Sequence, residues 1–373
     1  MNRRAAVAAL AAGAGAALWP RRAPAAKAKL APVLVSRDRI LKTIVGLRPF
    51  RPSGFVVRVD KLGDKVVVHN YGHGGCGVTL SWGTSQLAVD EVMALKTKTK
   101  VAVLGCGAVG LATARLLQQR GITATIYARD QPPATTSDVA GARFYPFEIF
   151  DRKVVQPEFL DRLWRPARVS YDVFRKLPAE TYGIRRYRTY ACRSTPFPPE
   201  SLLSFDSPVH DLLPGLRDLA EEERPFPYPI VRAFETMLIE PAIYLPAVMR
   251  DFTRSGGRIV TRTFPTVSDV AALDERVVVN CTGLGSRALF GDAEMLPIKG
   301  QLTILRPQPE VDYITLPPDL YMFPRRDGIV LGGTFERGVW TLEPDRAAED
   351  RILAGHAKFF ASLGGASRAN AIR

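Results

Sequence analysis

The sequence predicts an α/β fold with a Rossmann-like βαβ unit, and two observations support this. First, a short apolar strand, Val101 to Leu104, runs directly into the turn Gly105-Cys106-Gly107-Ala108-Val109-Gly110. Second, a helical pattern from about Leu111 to Arg120 ends at Gly121 and leads into an apolar strand from Thr123 to Tyr127. A glycine turn between a strand and a helix is typical of a site that binds the pyrophosphate of a dinucleotide.

The residues of this turn have distinct roles. Gly105 permits the tight turn after the strand, Gly107 lets the backbone approach a pyrophosphate, and Gly110 lets the helix pack closely on the strand. Ala108 and Val109 stand where the N-H groups of the helix N-terminus and its positive dipole end attract phosphate oxygens. The turn therefore predicts a dinucleotide site without choosing between FAD and NAD.

The end of the second strand leaves that choice open. Ala128-Arg129-Asp130 follows the strand, at the position where an adenosine ribose binds in such folds. Asp130 can accept hydrogen bonds from the ribose hydroxyls, whereas Arg129 can contact a 2′-phosphate. Because of Arg129, an NADP-dependent dehydrogenase remains an alternative here. An ordinary solvated loop fits the same two residues equally well.

The first 26 residues have the composition of an export signal. Arg3-Arg4 precede an uncharged stretch from Ala5 to Trp19, and the small-residue site Ala23-Pro24-Ala25 follows. The stretch is too short and too rich in alanine for a stable membrane span. We expect export by the twin-arginine route, which carries folded proteins, and a periplasmic or secreted protein.

Charge and cysteine content exclude other classes. The formal net charge is +14, but lysine and arginine are scattered and form no dense block beside stacking aromatics. We therefore expect anionic small molecules, and no nucleic acid, as partners. The four cysteines have no metal-type spacing, so the sequence predicts no metal site and no disulfide.

Further elements are predicted on both sides of the βαβ unit. The middle of the chain, from about Asp151 to Arg232, is rich in Tyr, Phe, Arg and Pro without a sustained period and is predicted only as an α+β insertion. Val277 to Val279 is predicted to be a central parallel strand. The other predicted elements are a short element at Arg39 to Val45, strands at Phe55 to Val57, Val66 to Val68, Arg258 to Thr261, Gln301 to Leu305 and Ile329 to Leu331, and helices ending near Leu95 and spanning Tyr244 to Arg254 and Ala347 to Leu363.

One long segment resembles a known family. The run from His69 to Gly83, His-Asn-Tyr-Gly-His-Gly-Gly-Cys-Gly-Val-Thr-Leu-Ser-Trp-Gly, closely resembles the flavin-binding signature of the D-amino-acid oxidases. This resemblance implies FAD as the cofactor and a D-amino-acid-oxidase-like fold. Also similar to that family are Thr135 to Ala140, Val279 to Gly283, Lys299 to Gln301 and Leu331 to Phe335.

The order of these motifs differs from that of the family, in which the His-Asn-Tyr-Gly-His-Gly-Gly segment closes the chain. Here it precedes the dinucleotide turn, so the resemblance implies a circular permutation, unless a segment was displaced by a gene-model error. The predicted division is an export signal at 1–26, a relocated segment at 27–100, an FAD-binding domain at 101–150 and 240–295, and a substrate domain with a closing helix at 151–239 and 296–373.

The resemblance also implies a substrate site. Arg48, in Gly46-Leu47-Arg48-Pro49, matches the family arginine that holds the substrate carboxylate, and Tyr321 matches a tyrosine whose hydroxyl binds the same carboxylate. Gly75 contributes N-H groups, with its glycine neighbours, where negative charge builds on a reduced flavin. In the animal oxidases a second tyrosine lies on a lid, and here that position is Pro317, which has no hydroxyl for the lid contact.

The same resemblance implies roles for further residues around FAD. His73 is expected to order the loop rather than act as a base. Thr79 is expected either to donate its hydroxyl to the flavin or to cap a helix. The remaining expected contacts are Gly74, Gly75, Cys76, Gly77 and Val78 in the loop, Thr135, Thr136, Ser137 and Asp138 along the ribityl and phosphate path, and Thr282 and Gly283.

These expectations combine into one reaction. A D-amino acid transfers a hydride to FAD, leaves as an imino acid that water converts to a 2-oxo acid and ammonia, and dioxygen reoxidises the flavin. A dehydrogenase with another acceptor, an NADP-dependent dehydrogenase and an inactive flavin-binding protein are the alternatives. The sequence does not identify the preferred D-amino acid.

Overall fold

A computed structural model describes residues 28–96, 100–146 and 148–368, with side chains to residue 363. The predicted export signal lies outside these residues. The strands in chain order are β1 (Ile40–Phe50), β2 (Val56–Leu62), β3 (Lys65–Tyr71), β4 (Val101–Leu104), β5 (Ala124–Ala128), β6 (Ile184–Arg193), β7 (Arg217–Asp218), β8 (Ile230–Ile239), β9 (Arg258–Thr261), β10 (Val277–Asn280), β11 (Leu296–Leu305), β12 (Tyr313–Leu316), β13 (Tyr321–Arg325), β14 (Gly328–Gly332) and β15 (Glu336–Arg337). The helices are α1 (Gly77–Ala94), α2 (Ala108–Gln119), α3 (Pro157–Phe174), α4 (Ala179–Tyr182), α5 (Pro241–Arg254), α6 (Val267–Ala271), α7 (Gly285–Leu289) and α8 (Arg346–Arg368).

In the described part of the chain, six strands form a sheet with the order β2-β3-β10-β4-β5-β9, here called the parallel sheet. Strand β10 pairs in parallel with both β3 and β4, and Val278 lies opposite Val67 on one side and Ala102 on the other. Strand β2 pairs antiparallel with β3 at the edge. The predicted central parallel strand and the predicted βαβ unit are confirmed.

The parallel sheet is covered on both faces, which explains its uninterrupted apolar strands. Val68, Val101 and Val279 pack in one hydrophobic cluster with residues of α1, α2 and α5. The alternate side chains, including Val67 and Val278, pack in a second cluster with Val270 and Leu289 of α6 and α7. Neither face of these strands is left for water.

The second sheet, here called the large sheet, has nine strands among the described residues, in the order β1-β11-β14-β13-β12-β6-β8-β7, with β15 paired to β11. Strand β1 pairs antiparallel with β11 along almost its whole length. The predicted short element at Arg39 to Val45 is therefore the first half of a strand that continues through the Gly-Leu-Arg-Pro motif to Phe50. After Phe50 the chain crosses to the parallel sheet.

The middle of the chain differs from its predicted assignment to the substrate domain. Helix α3 packs on α1, where the Gly83 N-H donates to Ser170 Oγ at 2.8 Å. A Cβ on Gly83 would lie 2.0 Å from the Pro166 carbonyl oxygen, so the helices approach this closely because the residue is glycine. Helix α3 therefore belongs to the helical layer of the parallel sheet, whereas β6 and β8 extend the large sheet.

Two helices also begin earlier than predicted. Helix α2 starts at Ala108, inside the glycine turn, and α5 starts at Pro241 rather than Tyr244. Among the described residues, no helix has the length and apolar composition needed to cross a bilayer. In the same residues, no cluster of three or more His, Cys, Asp or Glu side chains has the arrangement of a metal site.

Candidate active site

Three glycine-containing loops open at the same edge of the parallel sheet. They follow β3, β10 and β4, which are adjacent and parallel, so their carboxyl ends lie side by side. The loops begin at Gly72, Cys281 and Gly105, and the Cys281 N-H donates to the Leu104 carbonyl at 2.9 Å. In open α/β sheets, ligands bind in the crevice outside the carboxyl ends of such strands.

The turn after β4 has the geometry of a phosphate-binding turn. Gly105 has a φ of +105°, a conformation that favours glycine, and a Cβ there would lie 2.6 Å from the Cys281 carbonyl oxygen. A Cβ on Gly110 would lie 2.0 Å from the Gly105 carbonyl oxygen. The N-H of Ala108 donates to Ser137 Oγ at 3.0 Å, which ties the turn to the Thr135 to Ala140 segment. Both glycines are thus required by close backbone approach.

The loop after β3, from Gly72 to Gly77, leads into the N-terminus of α1. Gly74 has a φ of +57°, and a Cβ there would lie 2.1 Å from the Glu148 carbonyl oxygen. The Gly75 N-H donates to that same carbonyl at 3.4 Å. Cys76 is buried, and its thiol donates to the Tyr145 carbonyl at 3.2 Å. The segment around Glu148 therefore supports the loop from behind.

Arg48 and Tyr321 lie on a floor of glycines in the large sheet. A Cβ on Gly300 would lie 2.6 to 2.7 Å from three atoms of the Arg48 guanidinium, so that group rests directly on the glycine backbone. A Cβ on Gly332 would lie 2.1 Å from the Tyr321 ring. Side chains at Gly300 or Gly332 would displace the two groups that the resemblance assigns to the substrate carboxylate.

The electrostatics of these two groups are coupled. Burial raises the pKa of Tyr321, and the positive charge of Arg48 opposes this shift. Arg48 Nη1 donates to the Thr334 carbonyl at 3.4 Å, and the side chain is 21% exposed. A guanidinium that is largely desolvated but has a weak hydrogen bond is suited to bind a carboxylate.

Glu148 is an acidic residue beside Arg48 that sequence reasoning missed, and it lies behind the residues that line the cavity. Its Oε2 atom lies 3.9 Å from Arg48 Nε. Burial raises the pKa of Glu148, and Arg48 opposes this shift. Glu148 lies in an irregular segment without hydrophobic periodicity, and the matched motifs end before it, so the sequence carries no signal for its role.

The far end of the site contains the residues predicted for the ribose. Arg129 and Asp130 form an ion pair with each other, with Nη2 and Oδ2 2.7 Å apart, and the Arg129 side chain is 75% exposed. Because β5 pairs with β9, Arg262 follows the neighbouring strand at the same edge, and it stacks on Phe264 with Cζ 4.9 Å from the ring centroid. Sequence reasoning missed Arg262, although its position after a predicted parallel strand was a usable signal.

A single cavity of about 960 Å³ joins these parts. It extends from Arg129 and Asp130 to Arg48 and Tyr321, with the exposed Trp340 also on its wall. The other predicted residues on the wall are Gly74, Gly75, Gly77, Val78, Gly105, Gly107, Ala108, Val109, Thr135, Thr136, Ser137, Thr282 and Gly283.

Four predicted residues instead support the wall from behind. Thr79 and Cys76 are 3% and 2% exposed, and Gly110 packs under the Gly105 carbonyl. Asp138 accepts hydrogen bonds from the Thr135 N-H and hydroxyl at 2.8 and 2.7 Å, as in a tight turn.

Pro317 lies in the short turn between β12 and β13, where its carbonyl accepts a bond from the Leu320 N-H.

The chain belongs to a flavoprotein family. The sequence model of the FAD-dependent oxidoreductase family called DAO matches residues 100–372 of this chain. Similar proteins include a D-amino-acid oxidase of Streptomyces coelicolor, 31% identical over 72% of this chain and 79% of that protein, and a human D-aspartate oxidase, 29% identical over 72% and 77%. A glycine oxidase of Bacillus cereus has the same fold, with a TM-score of 0.54, 17% identity and coverage of 72% of this chain and 79% of its own.

The chain is therefore an FAD-dependent oxidoreductase with a D-amino-acid-oxidase-like fold, and the predicted cofactor and fold class are confirmed. FAD fits the residues present, because the cavity passes close-approach glycines at Gly105 and reaches the loop at Gly75. The alternative of an NADP-dependent dehydrogenase, which rested on Arg129, is discarded. The exposed Arg129 is instead paired with Asp130.

We expect Gly105→Ala to weaken FAD binding about fivefold or more, because it adds backbone strain and a Cβ 2.6 Å from the Cys281 carbonyl oxygen. The ratio of flavin to protein absorbance after dialysis measures this loss. Gly121→Ala is the matched control, since Gly121 also has a left-handed φ, +75°, but nothing within 4 Å of its Cβ position. Equal flavin retention in both variants would contradict the assignment of the turn.

His73 is expected to affect stability rather than proton transfer. Its Nε2 lies 2.9 Å from Thr84 Oγ1, the ring stacks on Phe55, and burial lowers the pKa of His73 to about 3. The unfolded chain therefore binds more protons than the folded chain between pH 6.5 and about 3. The contribution of His73 to the free energy of unfolding is therefore complete above pH 6.5, and it is lost as the pH falls below that value.

The corresponding measurement is denaturant unfolding at pH 7 and pH 5. His73 should contribute a loss of about 2 kcal/mol in the free energy of unfolding at the lower pH. His73→Gln should reduce the pH dependence by that amount, whereas His210→Gln, at an exposed position, serves as the control. An unchanged pH dependence in His73→Gln would contradict a neutral, buried imidazole.

Proposed function

We propose that this protein oxidises D-amino acids to 2-oxo acids and ammonia, with FAD as the hydride acceptor and dioxygen as the final oxidant. The observation that carries the proposal is the placement of Arg48. Its guanidinium lies on Gly300, beside Tyr321, at the end of the cavity where the glycine loop at Gly75 opens. The names of the similar D-amino-acid oxidases support the same substrate class.

The residues of the chain bind and orient the substrate. The Arg48 guanidinium binds the carboxylate, and the Tyr321 hydroxyl donates a second hydrogen bond to it. These contacts fix the position of the substrate Cα. The main contribution of the protein is therefore to position the substrate, and not to supply acid-base catalysis. When bound, FAD supplies the electron sink for the Cα hydride.

The loop after β3 contributes fixed positive potential. Gly77 is on the cavity wall and is the first residue of α1, an 18-residue helix. The Gly75 N-H, predicted to be a donor here, instead donates to the Glu148 carbonyl. The first N-H groups of a helix have no partner within the helix, and its dipole is positive at this end. The N-terminus of α1 thus stabilises negative charge in the cavity, and its N-H groups need not move to do so.

We expect Arg48→Ala to lower kcat/KM for D-alanine at least about a hundredfold, because a bidentate charged contact to the carboxylate is lost. Arg48→Lys should recover only part, since an ammonium is a point charge without the planar fork. Hydrogen peroxide production by purified, flavin-loaded protein measures both.

Arg37→Ala is the matched control, because Arg37 is a half-exposed arginine whose guanidinium is paired with Glu349 and Asp350. It should leave peroxide production within about twofold of the original rate. Turnover of D-alanine only with an artificial acceptor would replace the oxidase with a dehydrogenase. Bound flavin that no D-amino acid reduces would indicate an inactive binding protein.

We also propose that the chain is a circular permutation of the family order. Supporting this, the family match begins at residue 100, after the segment that contains the His69 to Gly83 signature. Strand β3 of that segment nevertheless pairs with β10 inside the parallel sheet. At the other end, Val33 packs in one cluster with Phe359 and Phe360 of α8, so the two ends that the family order would join are near each other.

A chain with the family order tests this proposal. Residues 100–368, a short glycine-serine linker and residues 28–96 would be joined in that order. We expect this chain to fold, retain FAD and produce peroxide from D-alanine at a rate within about tenfold of the original, because close ends tolerate such a change. A soluble but flavin-free product would contradict the permutation.

A further inference from the structure

The Glu148 carboxylate lies beside the Arg48 guanidinium, which is here called the carboxylate clamp because it is proposed to bind the carboxylate of the substrate. The side chain of Glu148 is 20% exposed, and its Oε2 atom lies 3.9 Å from Arg48 Nε. The same oxygen lies 3.2 Å from the position of a Cβ on Gly75, which is exposed on the cavity wall. The carboxylate thus stands between the clamp and the loop.

Glu148 is held there by a strained backbone. Its φ is +55°, in the left-handed region that non-glycine residues rarely adopt. The conformation persists because the Glu148 carbonyl accepts the Gly75 N-H and packs against Gly74, which has no Cβ. Such strain occurs where the surrounding structure fixes it, and it often marks a functional position.

The Arg48 guanidinium and the Glu148 carboxylate do not hydrogen-bond to each other. A separation of 3.9 Å permits ionic attraction but is too long for a hydrogen bond. Arg48 Nη1 donates a weak bond to the Thr334 carbonyl at 3.4 Å, and its side chain also interacts with the Tyr321 hydroxyl. Both groups can therefore bind a ligand without breaking a hydrogen bond between them.

Arg48 and Glu148 have opposite charges and are adjacent, as are the two charges in the head group of an amino acid. In an amino acid the nitrogen and the carboxylate carbon are bonded to one carbon and lie about 2.5 Å apart. Opposite charges that close need binding groups that are also adjacent. A cation at the end of a long side chain would lie farther from the carboxylate than the Arg48 to Glu148 spacing.

We propose that Glu148 binds the amino group of the substrate, so that Arg48 and Glu148 together recognise both charges of the zwitterion. This proposal rests on the proposed function and extends it to a specificity determinant. It predicts that the site selects acids with an amino group on Cα over hydroxy acids and simple carboxylic acids of the same shape. A positive substrate nitrogen also compensates the carboxylate that the fold has placed in a mostly buried position.

Two ligands that cannot be oxidised test this directly. 2-Aminoisobutyrate has an amino group but no hydrogen on Cα, and pivalate has a methyl group in place of that amino group. Their dissociation constants would be measured on the FAD-loaded protein by calorimetry and by the perturbation of the flavin spectrum. The original protein should bind 2-aminoisobutyrate more tightly, and Glu148→Gln should reduce that preference about tenfold or more.

Controls separate recognition from damage to the fold. Glu148→Gln should keep its FAD content and its affinity for pivalate, or bind pivalate more tightly because a negative charge near the clamp is gone. Glu148→Asp, which keeps the charge, should retain part of the preference. Glu180→Gln removes a carboxylate from an exposed ion pair with Arg326 and should change neither affinity.

Two results would overturn the proposal. One is an equal loss of affinity for both ligands in Glu148→Gln, which indicates that Glu148 only positions Arg48. The other is an original protein that does not prefer 2-aminoisobutyrate to pivalate. Reduction of the flavin by D-alanine in the original protein is recorded separately, so failure of the proposed function is distinguished from failure of this inference.

Discussion

The parallel pairing of β3, β10 and β4 is the constraint on which the site depends. These strands are buried on both faces and in register, so the loops that follow them must open at one edge. Gly75 from one loop and Gly105 from another thereby line one cavity. A shift of β3 within the sheet would separate the flavin loop from the phosphate turn, whatever the sequence of either.

A second constraint is close approach without side chains. Gly300 and Gly332 form the surface on which Arg48 and Tyr321 rest, and Gly74 leaves room for the Glu148 carbonyl. The large sheet thus presents charged and aromatic groups at fixed positions, and the segment around Glu148 joins the two halves of the site. The charges of Arg48 and Glu148 are largely removed from water, so each strongly affects the other and any ligand between them.

Local patterns were sufficient to predict the parallel sheet. Val101 to Leu104 and Val277 to Val279 are short apolar runs next to glycines, and such runs form buried strands when helices cover both faces. The resemblance alone assigned Arg48 to the substrate site, and its position in the long strand β1 became known only from the fold. In contrast, the packing of α3 on α1 depends on Gly83 meeting Pro166, a tertiary contact without a local signal.

The candidate site was predicted where a residue type implies a backbone need. Gly105 and Gly107 fall in this class, and Arg48 and Tyr321 were located by resemblance. Glu148 was missed because its role depends on a left-handed backbone in an irregular segment, and no residue type reveals that conformation. The ribose end was ambiguous for a related reason, since only the fold shows that Arg129 is paired with Asp130.

Anaerobic reduction of the bound flavin by D-alanine and by L-alanine is the decisive measurement of D-amino-acid oxidation by this protein. It requires cofactor, carboxylate clamp and hydride transfer together but no particular final acceptor. We expect D-alanine, and not L-alanine, to bleach the flavin absorbance. A protein that retains FAD but is bleached by neither, or only by L-alanine, would contradict it.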